Sequence, residues 1–152
     1  MGTTSTVPVV IPALLSALNA ALPSGVTAFE VWPGPEAAPE MVVLGDIEWD
    51  NYAIATIKSG RKQRQEDWSV GFDVFVFGTD GTSPANPGPA RVRAFELQAA
   101  IEDVLADDPH LGLATGTVQR IELRPTTADT RHFEKGWAFW VAGRIDVHAR
   151  LL

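Results

Sequence analysis

Cysteine is absent from this chain of 152 residues. Disulfide bridges and thiolate metal sites are therefore excluded, and the composition accords with assembly in a reducing cytosol. Long apolar runs are lacking too. No stretch approaches the roughly 18 uninterrupted apolar residues of a membrane span, and the opening MGTTSTVPVVIPALL has neither the basic start nor the long apolar core of a signal peptide. No membrane association is expected. Positive charge is scarce: the net charge is −7, so general attraction to phosphate backbones is not expected. A local exception is Lys58, Arg61, Lys62 and Arg64, a short basic cluster followed at once by Glu66 and Asp67.

Reactive motifs are equally scarce. His110, His132 and His148 have no HExxH-type spacing, which leaves no metal site to assign. There is no GxSxG, and Ser59, Ser69 and Ser83 stand without the surroundings of a nucleophile. Gly78-Thr79-Asp80-Gly81-Thr82 follows a strand pattern but lacks the lysine and the spacing of a phosphate loop, so it reads as a turn. The carboxylate pairs Asp46/Glu48 and Asp107/Asp108 are better explained as solvated acidic surface than as cation ligands or an acid/base pair. No catalytic, cofactor-binding or metal-binding residue is assigned, and no enzymatic activity is expected.

What the chain has is apolar, patterned sequence. With 45% apolar and 20% charged residues it belongs to the globular class, and its length fits a single domain spanning 1–152. Residues 1–7 read as a flexible tail. Pro12 reads as the start of a helix, with Ile11, Leu14, Leu15, Leu18 and Leu22 at helical spacing and Pro23-Ser24-Gly25 as its stop. Val26–Trp32 predicts a short strand, followed by a proline-punctuated connection. Met41–Trp49 is extended, with Met41, Val43, Ile47 and Trp49 on one parity, and Tyr52–Ile57 predicts a further strand. The flanks of Lys58–Gln65 predict an extended hairpin, with 58–67 as a protruding arm.

Two segments alternate most clearly. In Glu66–Phe77, residues Trp68, Val70, Phe72, Val74 and Val76 share one face, and Phe75 and Phe77 interrupt an otherwise polar one. In Gly136–Leu151, residues Trp137, Phe139, Val141, Ile145, Val147 and Leu151 oppose Trp140, Arg144, Asp146, His148 and Arg150, and Gly143 predicts a bend or bulge beside a closely approaching element. Between them lie a loop over 78–90, a helix over Ala90–Asp107 with its stripe at Ala94, Leu97, Ile101, Val104 and Leu105, and a strand over Thr117–Arg124. Arg91 and Arg93 near the start of that helix, and Asp107 and Asp108 near its end, oppose its dipole. The order predicts an α+β domain, a mainly antiparallel sheet covered on one face by two helices, with an extended hairpin or loop arm.

That layout resembles the tail terminator and related head-to-tail completion proteins of long-tailed bacteriophages. The resemblance runs over residues 9–151. It is carried by IPALLSALNAAL, the proline-punctuated acidic region, the strand pair around KSGRKQRQ, EDWSVGFDVFVFG, the helix from ARVRAFELQAAIEDVL, and VQRIELRP with GWAFWVAGRIDVHARL. It implies a non-enzymatic virion protein of the tail or neck, assembled in the host cytoplasm. The implied form is a homo-oligomeric ring, commonly hexameric, that caps the tail tube and joins it to head connector proteins. DNA would pass through without specific binding, and an acidic lining suits such a channel. Lys58, Arg61, Lys62 and Arg64 are expected in an arm that meets a neighbouring subunit or tail protein, and Phe75, Phe77 and Trp140 are further interface candidates. Two alternatives stand beside this reading. One is another head-closure or tail-completion connector protein. The other is a small-ligand binding domain or divergent enzyme with a cleft around His148, Asp146 or Arg144.

Overall fold

The computed structural model describes residues 5–34, 39–54, 64–77, 88–114, 117–133 and 136–151, with 51–54, 64, 131–133, 136–137 and 151 described as backbone only. Helix α1 spans Val7–Ala21 and buries Val10, Ile11, Leu14 and Leu18. Its first turn contains Pro8, where the missing N–H costs nothing, so it begins five residues before the expected start and Pro12 lies inside it. Of the expected flexible tail over 1–7, residues 1–4 lie outside the described residues, whereas Thr6 is buried and Val7 is already helical.

Strand β1 (Thr27–Phe29) runs parallel to β2 (Glu40–Ile54), which is one continuous strand rather than two. Strand β3 (Arg64–Phe77) pairs antiparallel with β2 on one side and with β5 (Gly136–Leu151) on the other. Strand β4 (Val118–Phe133) forms the far edge, which gives the order β1-β2-β3-β5-β4. Helix α2 (Gly88–Asp107) sits between β3 and β4 in the chain. The fold is α+β, four antiparallel strands with a short parallel edge strand and two helices.

The helices close one face. Val10, Leu14 and Leu18 of α1 and Ala94, Leu97 and Ile101 of α2 share a single core with Trp68, Val70, Phe72, Val74, Val141, Ile145 and Val147. Each large side chain of this set contributes about 1.5–3 kcal/mol by leaving water. Period-two alternation in β3 and β5 thus places the residues as the pattern predicts. The short edge strand β1 is protected by α1: the Asn19 amide accepts from the Ala28 N–H (2.8 Å) and donates to its carbonyl (3.2 Å).

Two expectations are corrected by irregular backbone, and a third falls partly outside the described residues. The register of β2 against β3 shifts between Leu44 and Ile47. Gly45 there faces Gly71, and a Cβ on it would meet the Gly71 Cα at 3.6 Å, an ordinary contact. The bulge inverts the parity, so Met41 and Val43 point away from the helices while Ile47 packs on the helical side. The predicted strand Thr117–Arg124 continues through Pro125 to Phe133, which is tolerated because β4 is an edge strand with a register shift at Pro125/Thr127. The expected arm over 58–67 divides: 58–63 lie outside the described residues, but Arg64–Asp67 is interior sheet, paired with both β2 and β5.

The dipole conflict in α2 is answered by tertiary contact. Arg93 is held by both carboxylate oxygens of Glu40 (3.0 and 3.1 Å) and by Glu96 (3.3 Å). Hydrogen bonding to Glu40 raises its pKa above the ordinary arginine value.

Candidate functional site

The face of the sheet turned away from the helices is divided into an apolar end and a polar end. At the apolar end Met41, Val43 and Phe75 form a second buried cluster, with Phe29, Phe77 and Trp140 packed on it. Trp32 meets Phe75 edge-on with ring centroids 5.2 Å apart, and Phe75 is stacked with Phe77 (6.1 Å) and Trp140 (6.5 Å). The Trp140 indole donates to Asp73 Oδ1 (2.5 Å). Phe75 is buried, whereas Trp32 remains 48% exposed. Of the interface candidates, Phe75, Phe77 and Trp140 are therefore brought together. Lys58, Arg61 and Lys62 lie outside the described residues, and Arg64 is described only as backbone of β3. Trp32 was not singled out: the sequence reading placed it at the end of a short strand over Val26–Trp32, whereas β1 ends at Phe29.

At the polar end, side chains from neighbouring strands are tied to one another. Arg144 Nε donates to the Ser69 hydroxyl (2.7 Å), and its terminal nitrogens reach Asp46 Oδ1 and the Asp46 and Ser69 carbonyls, each at 3.2 Å. Gly71 leaves room for the Asp46 carboxylate in this tie, since a Cβ there would lie 3.1 Å from Asp46 Oδ1, while Arg144 at 3.6 Å would be in ordinary contact. The Arg144 guanidinium holds the Asp46 carboxyl below its ordinary value. Arg144→Met is therefore expected to let the Asp46 pKa rise toward 3.8, read by carboxylate NMR titration. An unchanged value would show that the contact is not maintained in solution. Asp146 accepts from Arg124 (3.1 Å), and His148 Nδ1 lies 2.7 Å from Asp67 Oδ1. The residues on which a ligand cleft was conceivable are thus engaged as cross-strand ties, and Asp46 is an arginine partner rather than half of a cation site.

No protein family and no curated protein matches the chain. A chain of a solved structure described as "Virion of native gene transfer agent (GTA) particle" is similar. It is 23% identical, covering 92% of this chain and 91% of that one, with a TM-score of 0.47.

Chemically the face offers aromatic area beside paired charge. The described residues contain no group of three or more His, Asp or Glu side chains placed to hold a metal ion, and no helix long and apolar enough to cross a membrane. A shallow hollow of about 300 Å³ between α2 and β4, lined by Glu102, Leu105, Ala106, Ile121, Glu122 and Leu123, is open to solvent and lies away from both ends of this face.

One polar site was not foreseen. Glu66 shares the parity of Trp68 and is fully buried at the start of α1. Its carboxylate accepts from the Thr6 N–H (2.8 Å), the Thr6 hydroxyl (2.6 Å), the Ser5 hydroxyl (2.5 Å) and the Trp49 indole (2.9 Å). Trp68 in turn donates to the Thr6 hydroxyl (3.0 Å). The sequence signal was an acid on the apolar parity of a strand, which needs partners wherever it is buried.

Proposed function

We propose that this chain is a structural virion protein that assembles into a ring, caps a tail tube and joins it to the head connector. The observation that carries the reading is the unequal treatment of the two sheet faces. One is closed by both helices; the other presents Trp32 over a stack of Phe75, Phe77 and Trp140. A half-exposed tryptophan on an aromatic shelf offers the large, rigid apolar area in which subunit interfaces are enriched. The layout resemblance over residues 9–151 and the acidic charge balance support the same role. So does the hairpin of β2 and β3, whose paired flanks reach Ile54 and Arg64 and lead to the basic segment with Lys58, Arg61 and Lys62.

Native mass spectrometry with electron microscopy tests the proposal. The expected result is a closed ring, near hexameric, alone or on addition of tail tube. A monomer that neither assembles nor binds tail tube would refute it. Reversing Lys58, Arg61, Lys62 and Arg64 to glutamate is expected to weaken ring formation or tail joining, and unimpaired assembly would remove the arm from the interface.

A further inference from the structure

Two exposed apolar patches lie at the same end of the sheet on opposite layers. On the open face, Trp32 is 48% exposed above Phe75, with Phe77 and Trp140 beside it. On the helical layer, Val92 (59% exposed) and Phe95 (45% exposed) project from α2 one turn apart. The Phe95 ring lies 6.2 Å from Phe139, the residue next to Trp140 on β5. The same strand end therefore presents apolar surface in both directions.

The charges around the patches differ: acids rim the open-face patch, whereas the helical ridge carries a balanced set. Beside the open-face patch are Asp73, bonded to the Trp140 indole, exposed Asp129, which is paired in register with Trp140, and exposed Glu30, two residues before Trp32. Beside Val92 is exposed Arg91; one residue on, Arg93 pairs with Glu40 and with Glu96, which is exposed next to Phe95, so Arg91 is the cation of the ridge turned to solvent.

We infer that the open-face patch of one copy receives the Val92–Phe95 ridge of a second copy, with Arg91 directed to the carboxylates of Glu30 and Asp129. This rests on the ring reading and names the contact that would build the ring. Because the two surfaces differ and lie on opposite layers, the contact is head-to-tail: every copy uses one of each, and the series either closes or extends. A two-fold dimer through the aromatic patch alone would leave Val92 and Phe95 in water. Trp32 and Phe95 are the large aromatic anchors expected to dominate such a contact, and Arg91 is expected to add orientation and salt sensitivity.

The test uses the full chain and two surface variants, Trp32→Glu and Phe95→Glu, each checked for wild-type circular dichroism and melting. Sedimentation at concentrations up to the hundred-micromolar range is expected to show each variant alone at least about tenfold weaker in self-association. Their equimolar mixture is expected to form a dimer and nothing larger, since one intact contact remains between them. Retention of wild-type assembly by Phe95→Glu, or failure of the mixture to dimerise, would overturn the contact. A ring that survives both variants overturns the contact and leaves the ring reading standing. A wild-type chain that stays monomeric alone but forms rings on tail tube overturns spontaneous self-contact only, and one that does neither overturns both.

Discussion

Glu66→Ala is expected to destabilise the fold by about 2–4 kcal/mol, because it strips a buried acceptor from several donors at once. For a domain of this size that corresponds to a fall of roughly 5–15 °C in Tm. The Thr6 N–H belongs to the N-cap of α1, which has no side-chain cap of its own. The carboxylate supplies that cap from the sheet and places negative charge at the positive end of the helix dipole. Through Trp49 and Trp68 the same node joins α1 to β2 and β3. Glu66→Gln keeps the shape but turns an amide donor toward hydroxyl or indole donors, so a loss of about 1–2 kcal/mol is expected.

The pH dependence follows from the same contacts. Burial alone pushes the Glu66 carboxyl up, but the hydrogen bonds from Ser5, Thr6 and Trp49 outweigh it and hold the pKa below the ordinary value of 4.5. The unfolded chain therefore binds this proton more readily than the folded one. The stabilisation is complete above pH 4.5 and is lost as the pH falls through the lower folded value. Denaturant titrations of wild type and Glu66→Gln are expected to converge as the pH drops through that window. Parallel curves would show that the carboxylate is not the linked group.

Gly143→Ala is expected to cost about 1–3 kcal/mol, and Gly143→Val more. A Cβ at this position would lie 2.5 Å from the Arg124 carbonyl oxygen and 2.7 and 2.8 Å from the Phe72 ring. Neither neighbour is able to yield easily. The carbonyl is backbone of β4 next to its register shift, and Phe72, paired with Gly143 across β3 and β5, is fully buried in the main core. Chemical denaturation reads the loss. A change below about 0.5 kcal/mol, the range of ordinary surface substitutions, would mean that Phe72 does not pack against Gly143. Pairing Gly143→Ala with Phe72→Leu is expected to be less costly than the sum of the two, since they share one contact.

Much of the architecture was legible without coordinates. In β3 and β5 a side chain's face depends only on its position along the strand, so Trp68–Val76 and Phe139–Val147 could be assigned to the core from alternation alone. The breaks in that alternation, Phe75, Phe77 and Trp140, marked the second face for the same reason. The stripe of α2 and the special role of Gly143 were readable from spacing and from the lack of a side chain. Where the backbone departs from regularity the pattern fails. One bulge at Gly45 turned Met41 and Val43 onto the aromatic face and separated them from Ile47, although all three share a parity in the sequence.

The sequence by itself determined the class of fold, the helical face of the two central strands and the presence of aromatics on the opposite one, because these follow from local period and side-chain volume. Only the tertiary structure decided which distant groups meet: Glu66 with Thr6, 60 residues earlier in the chain, Arg144 with Asp46, 98 residues earlier, and Trp32 with Phe75. Such partners are selected by strand order and register. These arise from the packing of all elements together, and no local segment encodes them.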